Sequence, residues 1–208
     1  MDSLSHKAYL VIKRIIMDME VTPQETLTEL KLAAKLRMSR TPIREALKKL
    51  ENENLIISYN KKGYFLNIPS MKDIKEIYEM RMVLEGGAVR LAAPRIDLGA
   101  LKDLEKKLKL KGVGEYEKTK ADDLLKFGKG FHFFILDHCG NERLKEQVKR
   151  IYGQLQISRI YSYRTRGNEA VNEHLRIINA LKERDAEKSR LCMEEHLRNA
   201  FNALTKIL

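Results

Sequence analysis

Apolar residues recur at three- and four-residue spacing along most of this chain, interrupted once by a short strand-like stretch. Over residues 3–19, Leu4, Ala8, Val11, Ile12, Ile15 and Ile16 keep helical spacing and predict a helix that ends before Thr22-Pro23. Thr28 is placed to cap a second, short helix carrying Leu32, Ala33 and Leu36. Only Arg37 and Met38 separate it from a third helix. Ser39 is placed to cap this one, and Pro42 falls in its first turn, where a missing N–H does little harm. Ile43, Ala46, Leu47 and Leu50 should face a core, leaving Arg40, Thr41 and Arg44 around the exposed N-terminal end. Residues 55–59 and 64–68 then read as two strands joined by Asn60-Lys61-Lys62-Gly63, a hairpin with a basic tip. Helix, tight turn, helix and hairpin in this order predict a winged helix-turn-helix over residues 1–69.

Pro69-Ser70 marks a boundary, and Ser70 with Asp73 three residues on has the form of a capping box with Asp in place of Glu or Gln. From there the helical period persists. Helices are predicted at about 71–92, 98–110, 118–139, 142–164, 168–183 and 186–206, broken by Pro94, by Gly112 and Gly114, by Gly140-Asn141, by Gly167-Asn168 and near Asp185. The fold class is therefore mainly α, a winged helix-turn-helix followed by an all-α bundle over residues 70–208.

The N-terminal end of the third helix is the part that such a motif presents to base edges and phosphates. Charge adds less than the motif. The chain of 208 residues carries a net charge of +11, which suits a polyanionic partner, but the excess is spread over both parts. Residues 1–69 hold twelve basic against eight acidic residues, and the remainder 28 against 21. Cys139 and Cys192 lie far apart, with no CxxC pair, which fits a reduced compartment and no thiolate metal site. No leader-like opening or long apolar run is present, so a cytoplasmic protein with no membrane partner is expected.

The informative feature of the predicted bundle is which polar residues fall on its apolar faces. Arg81 sits within the stripe Ile74, Ile77, Tyr78, Leu84, Ala88 and Leu91. His132 joins Leu124, Phe131 and Ile135; His174 lies among Val171, Leu175, Ile178 and Leu181; His196 lies among Met193, Leu197, Ala200 and Leu204. One inward histidine is usually an ordinary core residue. Three, one from each of three helices, are a recurrent way to hold a first-row metal. Arg81 has two readings: a structural pair with Glu85, its i+4 neighbour, or a planar fork that holds a ligand carboxylate.

The run Thr26-Leu27-Thr28-Glu29, Leu32-Ala33, Ser39-Arg40-Thr41-Pro42-Ile43-Arg44-Glu45-Ala46-Leu47, Leu50-Glu51, Leu55-Ile56 and Lys62-Gly63 resembles the N-terminal domain of GntR-family transcriptional regulators. Arg81, Leu84-Glu85, Leu91-Ala92-Ala93, Phe131-His132, Gly140-Asn141, Glu173-His174 and His196-Leu197 resemble the FCD effector-binding domain of the FadR subfamily. The resemblance implies a homodimeric repressor on a palindromic operator, with Arg40, Thr41 and Arg44 at the operator and the Lys62-Gly63 wing tip in the adjacent minor groove; Arg37, Ser39 and Lys61 are added as candidate DNA contacts. It further implies a divalent metal (Zn, Ni or Mn) held by one Asp and three His, here His132, His174 and His196, with a small carboxylate effector completing the coordination sphere; Arg81 is the candidate effector-binding residue if its fork is not taken by Glu85.

This chain departs from that pattern at three positions. Thr26 stands where the family usually has Arg, and Arg37 stands where it usually has the Gly of the inter-helix turn. Gly128 occupies the place of the Asp ligand, one turn before His132, which should weaken metal binding. Asp122 and Asp123 are out of step with His132, and Asp137 and His138 are the remaining substitutes to consider. An effector held by Arg81 and neutral histidines without metal, and a tri-His metallohydrolase, stand as alternatives.

Overall fold

The computed structural model describes residues 3–18, 20–22, 25–59, 62–111 and 121–206, leaving aside the side chains at 110–111, 121–127, 156–157, 160–161 and 163–165. The chain forms two compact units, Met1–Ile68 and Pro69–Leu208.

In the first unit, α1 (Leu4–Met17) packs on α3 (Arg40–Asn52), and α2 (Glu29–Leu36) crosses beside it. Ile12, Ile43, Leu47 and Leu50 are fully buried, as their spacing requires, whereas Leu4 and Val11 of the same predicted stripe stay exposed. The strands β1 (Ile56–Ser58) and β2 (Tyr64–Leu66) pair antiparallel with Ile57 opposite Phe65. Leu27 and Tyr64 exchange both backbone hydrogen bonds at 2.8 Å, which ties the approach to α2 to the wing. Gly63 adopts a φ of +116°, and a Cβ there would lie 2.7 Å from Thr26 Cγ2, so the wing closes onto that segment only because no side chain intervenes.

Two helix ends in this unit follow from single residues. Thr28 accepts from Lys31 N at 3.2 Å and caps α2. Arg37 turns the chain at the far end in the left-handed region (φ 53°, ψ 44°), and Met38 N–H reaches back to Ala33 O at 3.1 Å. The usual Gly would adopt this conformation without cost, so Arg37 carries local strain. Ser39 corrects the sequence reading. It stands at the N-cap of α3, but its side chain makes no capping hydrogen bond. The third helical residue, whose N–H a cap commonly receives, is Pro42, which has none.

The second unit is all-α among its described residues. Helix α4 (Met71–Ala92) starts at the Ser70–Asp73 capping box and lies along α9 (Ala186–Leu204). Around it run α5 (Leu98–Lys111), α6 (Ala121–His138), α7 (Glu142–Gln154) and α8 (Gln156–Lys182). The core centres on Tyr78, Phe131, Ile135, Val148, Ile177 and Leu197. Leu91, expected in that core, is 38% exposed. Two boundaries differ from the expectation. The predicted 142–164 helix is divided at Leu155 (φ −106°, ψ 13°), which is fully buried and ends α7. The expected stop at Gly167-Asn168 is instead a kink inside α8, carried by Arg166 (φ −144°, ψ 30°). No described helix is long and apolar enough to cross a membrane.

Candidate DNA interface and histidine centre

At the front of α3, Arg40, Thr41 and Arg44 are exposed, as are Arg37 and Ser39. The two arginines share one carboxylate. Arg44 donates from Nε and Nη2 to Glu29 at 2.7 and 3.0 Å, and Arg40 donates from Nη2 at 3.1 Å. Glu29 is the first residue of α2, where the helix dipole also favours its charge. The hydrogen bonds from Arg44, helped by Arg40, hold its carboxyl below the ordinary range. These groups line a cleft of about 470 Å³ with Ser58, Lys62 and Tyr64 of the wing. Lys62 lies 5.9 Å from the centre of the Tyr59 ring, and Lys61 falls outside the described residues. The structure thus brings Arg40, Arg44, Lys62 and Gly63 around one cleft. Glu29 was missed as a partner because it lies eleven and fifteen residues from the arginines, beyond any helical spacing.

In the second unit, His132 on α6, His174 on α8 and His196 on α9 converge, all buried. His196 Nε2 lies 3.3 Å from both His174 Nε2 and His132 Nε2. Two nitrogens bound to one zinc at about 2.0–2.1 Å in tetrahedral geometry stand roughly 3.4 Å apart, so the spacing suits a shared first-row cation. Phe131 stacks on His174 at 3.9 Å and walls one side.

Carboxylates orient two of the three rings. His196 Nδ1 lies 2.7 Å from Glu173 Oε2, and Glu173 is itself held by Arg166 at 2.6 Å and Asn199 at 2.8 Å. His132 Nδ1 approaches Glu85 Oε2 to 2.6 Å, out of line for a well-formed hydrogen bond. Glu85 in turn receives Arg81 Nε at 2.7 Å and the Tyr152 hydroxyl at 3.2 Å. A proton on His196 Nδ1 facing Glu173 leaves the lone pair of its Nε2 free to coordinate. His132 Nε2 and His196 Nε2 stand 3.3 Å apart, and the tautomer of each ring decides which of them donates. With one nitrogen from each ring lying within 4.8 Å of the others, the residues present fit a metal. Burial keeps the rings neutral and ready to coordinate: it pushes His132 down to about 4 despite Glu85, and His174 well below the ordinary histidine range. His174 Nδ1 is buried without a hydrogen-bond partner.

Gly128 is buried one turn before His132, and among the described residues no carboxylate joins the three nitrogens. Asp137 and His138 are not replacements: Asp137 pairs with Lys145 at 2.7 Å, and His138 Nδ1 bonds to Phe134 O at 2.8 Å. The side chains of Asp122 and Asp123 fall outside the described residues. Arg81 adopts the structural pairing with Glu85, and its Nη2 also donates to the Tyr152 hydroxyl at 2.9 Å. Burial opposes both charges of that pair, and their mutual attraction outweighs it, holding Glu85 well below the usual carboxylate range. Arg81, Arg159, Ser162 and Arg166 surround a cavity of about 20 Å³ beside His132 and His196, room for about one water.

Comparison with known proteins agrees with both halves. Residues 4–66 match the bacterial regulatory proteins of the gntR family, and residues 76–199 match the FCD domain. The chain is 30% identical over 189 residues to the Nta operon transcriptional regulator of Aminobacter aminovorans, covering 89% of this chain and 87% of that protein. It is 23% identical over 206 residues to the HTH-type transcriptional repressor RspR of Escherichia coli, covering 98% and 90% of the two chains. The solved structure of E. coli McbR/YncC shares the fold, with a TM-score of 0.67 at 24% identity over 100% of this chain and 99% of that one. With both family matches in register with the described units, the chain belongs to the GntR family of bacterial transcriptional regulators, a DNA-binding helix-turn-helix protein with an FCD effector-binding domain and not an enzyme.

Proposed function

We propose that this regulator is a metal-dependent, carboxylate-responsive repressor that works as a homodimer on a palindromic operator in the cytoplasm. Arg40, Thr41 and Arg44 read base edges, with Arg37, Ser39, Lys61, Lys62 and Gly63 at phosphates and the neighbouring minor groove. The unused Ser39 hydroxyl and the exposed front of α3 support this reading.

His132, His174 and His196 would hold a divalent ion (Zn, Ni or Mn), and the observation that carries the assignment is the convergence of three buried ring nitrogens within 4.8 Å of one another. Bound there, the ion would supply a positive centre for the effector carboxylate, and Arg81 lines the cavity shared by His132 and His196. Because the cavity holds about one water, a larger effector must widen it. Arg166, which lines that cavity, is also the residue at which α8 leaves helical geometry, so the fold has a natural place to yield. The effector acts only through its different affinity for the DNA-competent and DNA-incompetent states.

The test is operator binding at fixed salt, titrated with small mono- and dicarboxylates in metal-loaded and chelated protein. Release by a carboxylate in the loaded form alone supports the proposal. Release that is the same in both forms favours the alternative suggested by Gly128, an effector held by Arg81 and neutral histidines without metal. No release by any carboxylate contradicts the effector assignment.

A further inference from the structure

Arg81 and Arg166 both line the cavity beside His132 and His196, and each already faces a carboxylate of this chain, but they are held very differently. Arg81 donates from Nε to Glu85 at 2.7 Å and from Nη2 to the Tyr152 hydroxyl at 2.9 Å. Its guanidinium also lies 4.9 and 4.8 Å from the centres of the Tyr78 and Tyr152 rings. Turning it toward a ligand would leave the buried Glu85 carboxylate, among the described residues, with the Tyr152 hydroxyl at 3.2 Å as its well-formed donor. An uncompensated buried charge of that kind is costly.

Arg166 is easier to turn. Among the described residues it spends one nitrogen on its partner, Nη2 donating to Glu173 Oε1 at 2.6 Å. The same oxygen accepts from Asn199 Nδ2 at 2.8 Å, and Oε2 faces His196 Nδ1 at 2.7 Å. Glu173 therefore keeps a donor on each oxygen when Arg166 lets go. Arg166 is also where α8 departs from helical geometry, between the stretch that carries Ser162 and the stretch that carries Glu173 and His174. A free carboxylate offers a guanidinium the same pair of oxygens that Glu173 does.

We infer that Arg166 is the residue that receives the effector carboxylate, exchanging Glu173 for it, while Arg81 stays paired with Glu85 as a fixed wall of the cavity. The inference rests on the carboxylate-responsive reading above and names the residue by which that site takes its ligand. A neutral ligand cannot make the exchange, because it would leave the guanidinium buried without a counter-charge. The exchange also gives the effector a hold on the bend of α8, since the residue it grips is the one that carries the bend.

The test uses the full metal-loaded chain, with acetate, malonate and succinate as probes and calorimetry as the readout. The parent is expected to bind at least one of them. Arg166→Gln should weaken that probe about 10- to 100-fold, as loss of a charge-assisted contact does. Arg166→Lys should recover part of the loss, and both variants should keep the parent's metal content. Asn199→Ala is the control, because it removes the other donor to the same Glu173 oxygen and does not line the cavity; its probe affinity should stay close to the parent's. Binding that survives Arg166→Gln overturns the inference and leaves the carboxylate reading intact. Equal losses in Arg166→Gln and Asn199→Ala would mean that Arg166 acts only by fixing Glu173, and would overturn it as well. A parent that binds none of the three probes counts against both. Crystals of the parent grown with the bound probe give a second measurement that does not depend on a variant folding. The expected result is the probe carboxylate on Arg166, with Glu173 held by Asn199 and His196; a probe on Arg81 with the Arg166–Glu173 pair intact overturns the inference.

Discussion

Arg44 closes its guanidinium fork on Glu29, with Nε 2.7 Å from one carboxylate oxygen and Nη2 3.0 Å from the other. A bidentate pair fixes the plane of the fork as well as its position, so Arg44 is oriented before it meets a base. Arg44→Ala is expected to remove about 1–3 kcal/mol of discrimination between operator and unrelated duplex. Glu29→Gln should act differently: affinity for unrelated DNA rises as a negative charge leaves the surface, and the ratio of specific to non-specific binding narrows. Fluorescence anisotropy on both duplexes at one salt concentration decides it, and unchanged ratios in both variants would remove these residues from base reading.

Lys62 sits on the wing, exposed and facing the same cleft. A phosphate contact carries no sequence information. Lys62→Ala should therefore weaken operator and unrelated DNA by the same factor and reduce the slope of log affinity against log salt by about one. A loss confined to the operator would assign it to base reading instead.

Arg37 holds the left-handed turn between α2 and α3 at φ 53°. Relief of that strain is opposed by the larger unfolded-state entropy of glycine, so Arg37→Gly should change stability by less than about 1 kcal/mol, in the stabilising direction. If Arg37 touches a phosphate, the same variant binds DNA more weakly despite its intact fold. Thermal melting and a salt titration on one preparation separate the two effects.

Much of this arrangement is legible in the sequence because it depends on neighbours in the chain. The capping box at Ser70–Asp73 and the apolar face of α3 follow from residues a few positions apart, and the winged helix with its helical second unit follows from their succession. The inward turn of the three histidines is legible in the same way. Their carboxylate partners are less so. Glu85 was read as the mate of Arg81 alone, yet it also approaches His132 from 47 positions away; Glu173 is beside His174 in sequence but serves His196. The break at Leu155 was missed because an apolar residue in helical phase gives no stop signal, while tertiary packing buries it completely. Ser39 shows the reverse failure: its N-cap position was read correctly, but Pro42 removes a donor the cap would use.

Gly128 offers a gain-of-function test of the histidine centre. An aspartate there, one turn before His132, would restore an anionic ligand on the same helix face. Gly128→Asp should retain divalent metal at a higher chelator concentration than the parent, with far-ultraviolet circular dichroism showing that the helix persists. A folded variant with no gain in retention would mean that this position does not face the centre.

The most direct test of the metal-dependent account is metal content per chain, measured by elemental analysis on untagged protein and on His196→Ala, with melting temperatures before and after chelation. The account predicts about one divalent ion per parent chain, a lower melting temperature on chelation, and loss of both the ion and the chelator effect in the variant. A parent protein that carries no metal, takes up none when divalent ions are added and melts at the same temperature with or without chelator would contradict it.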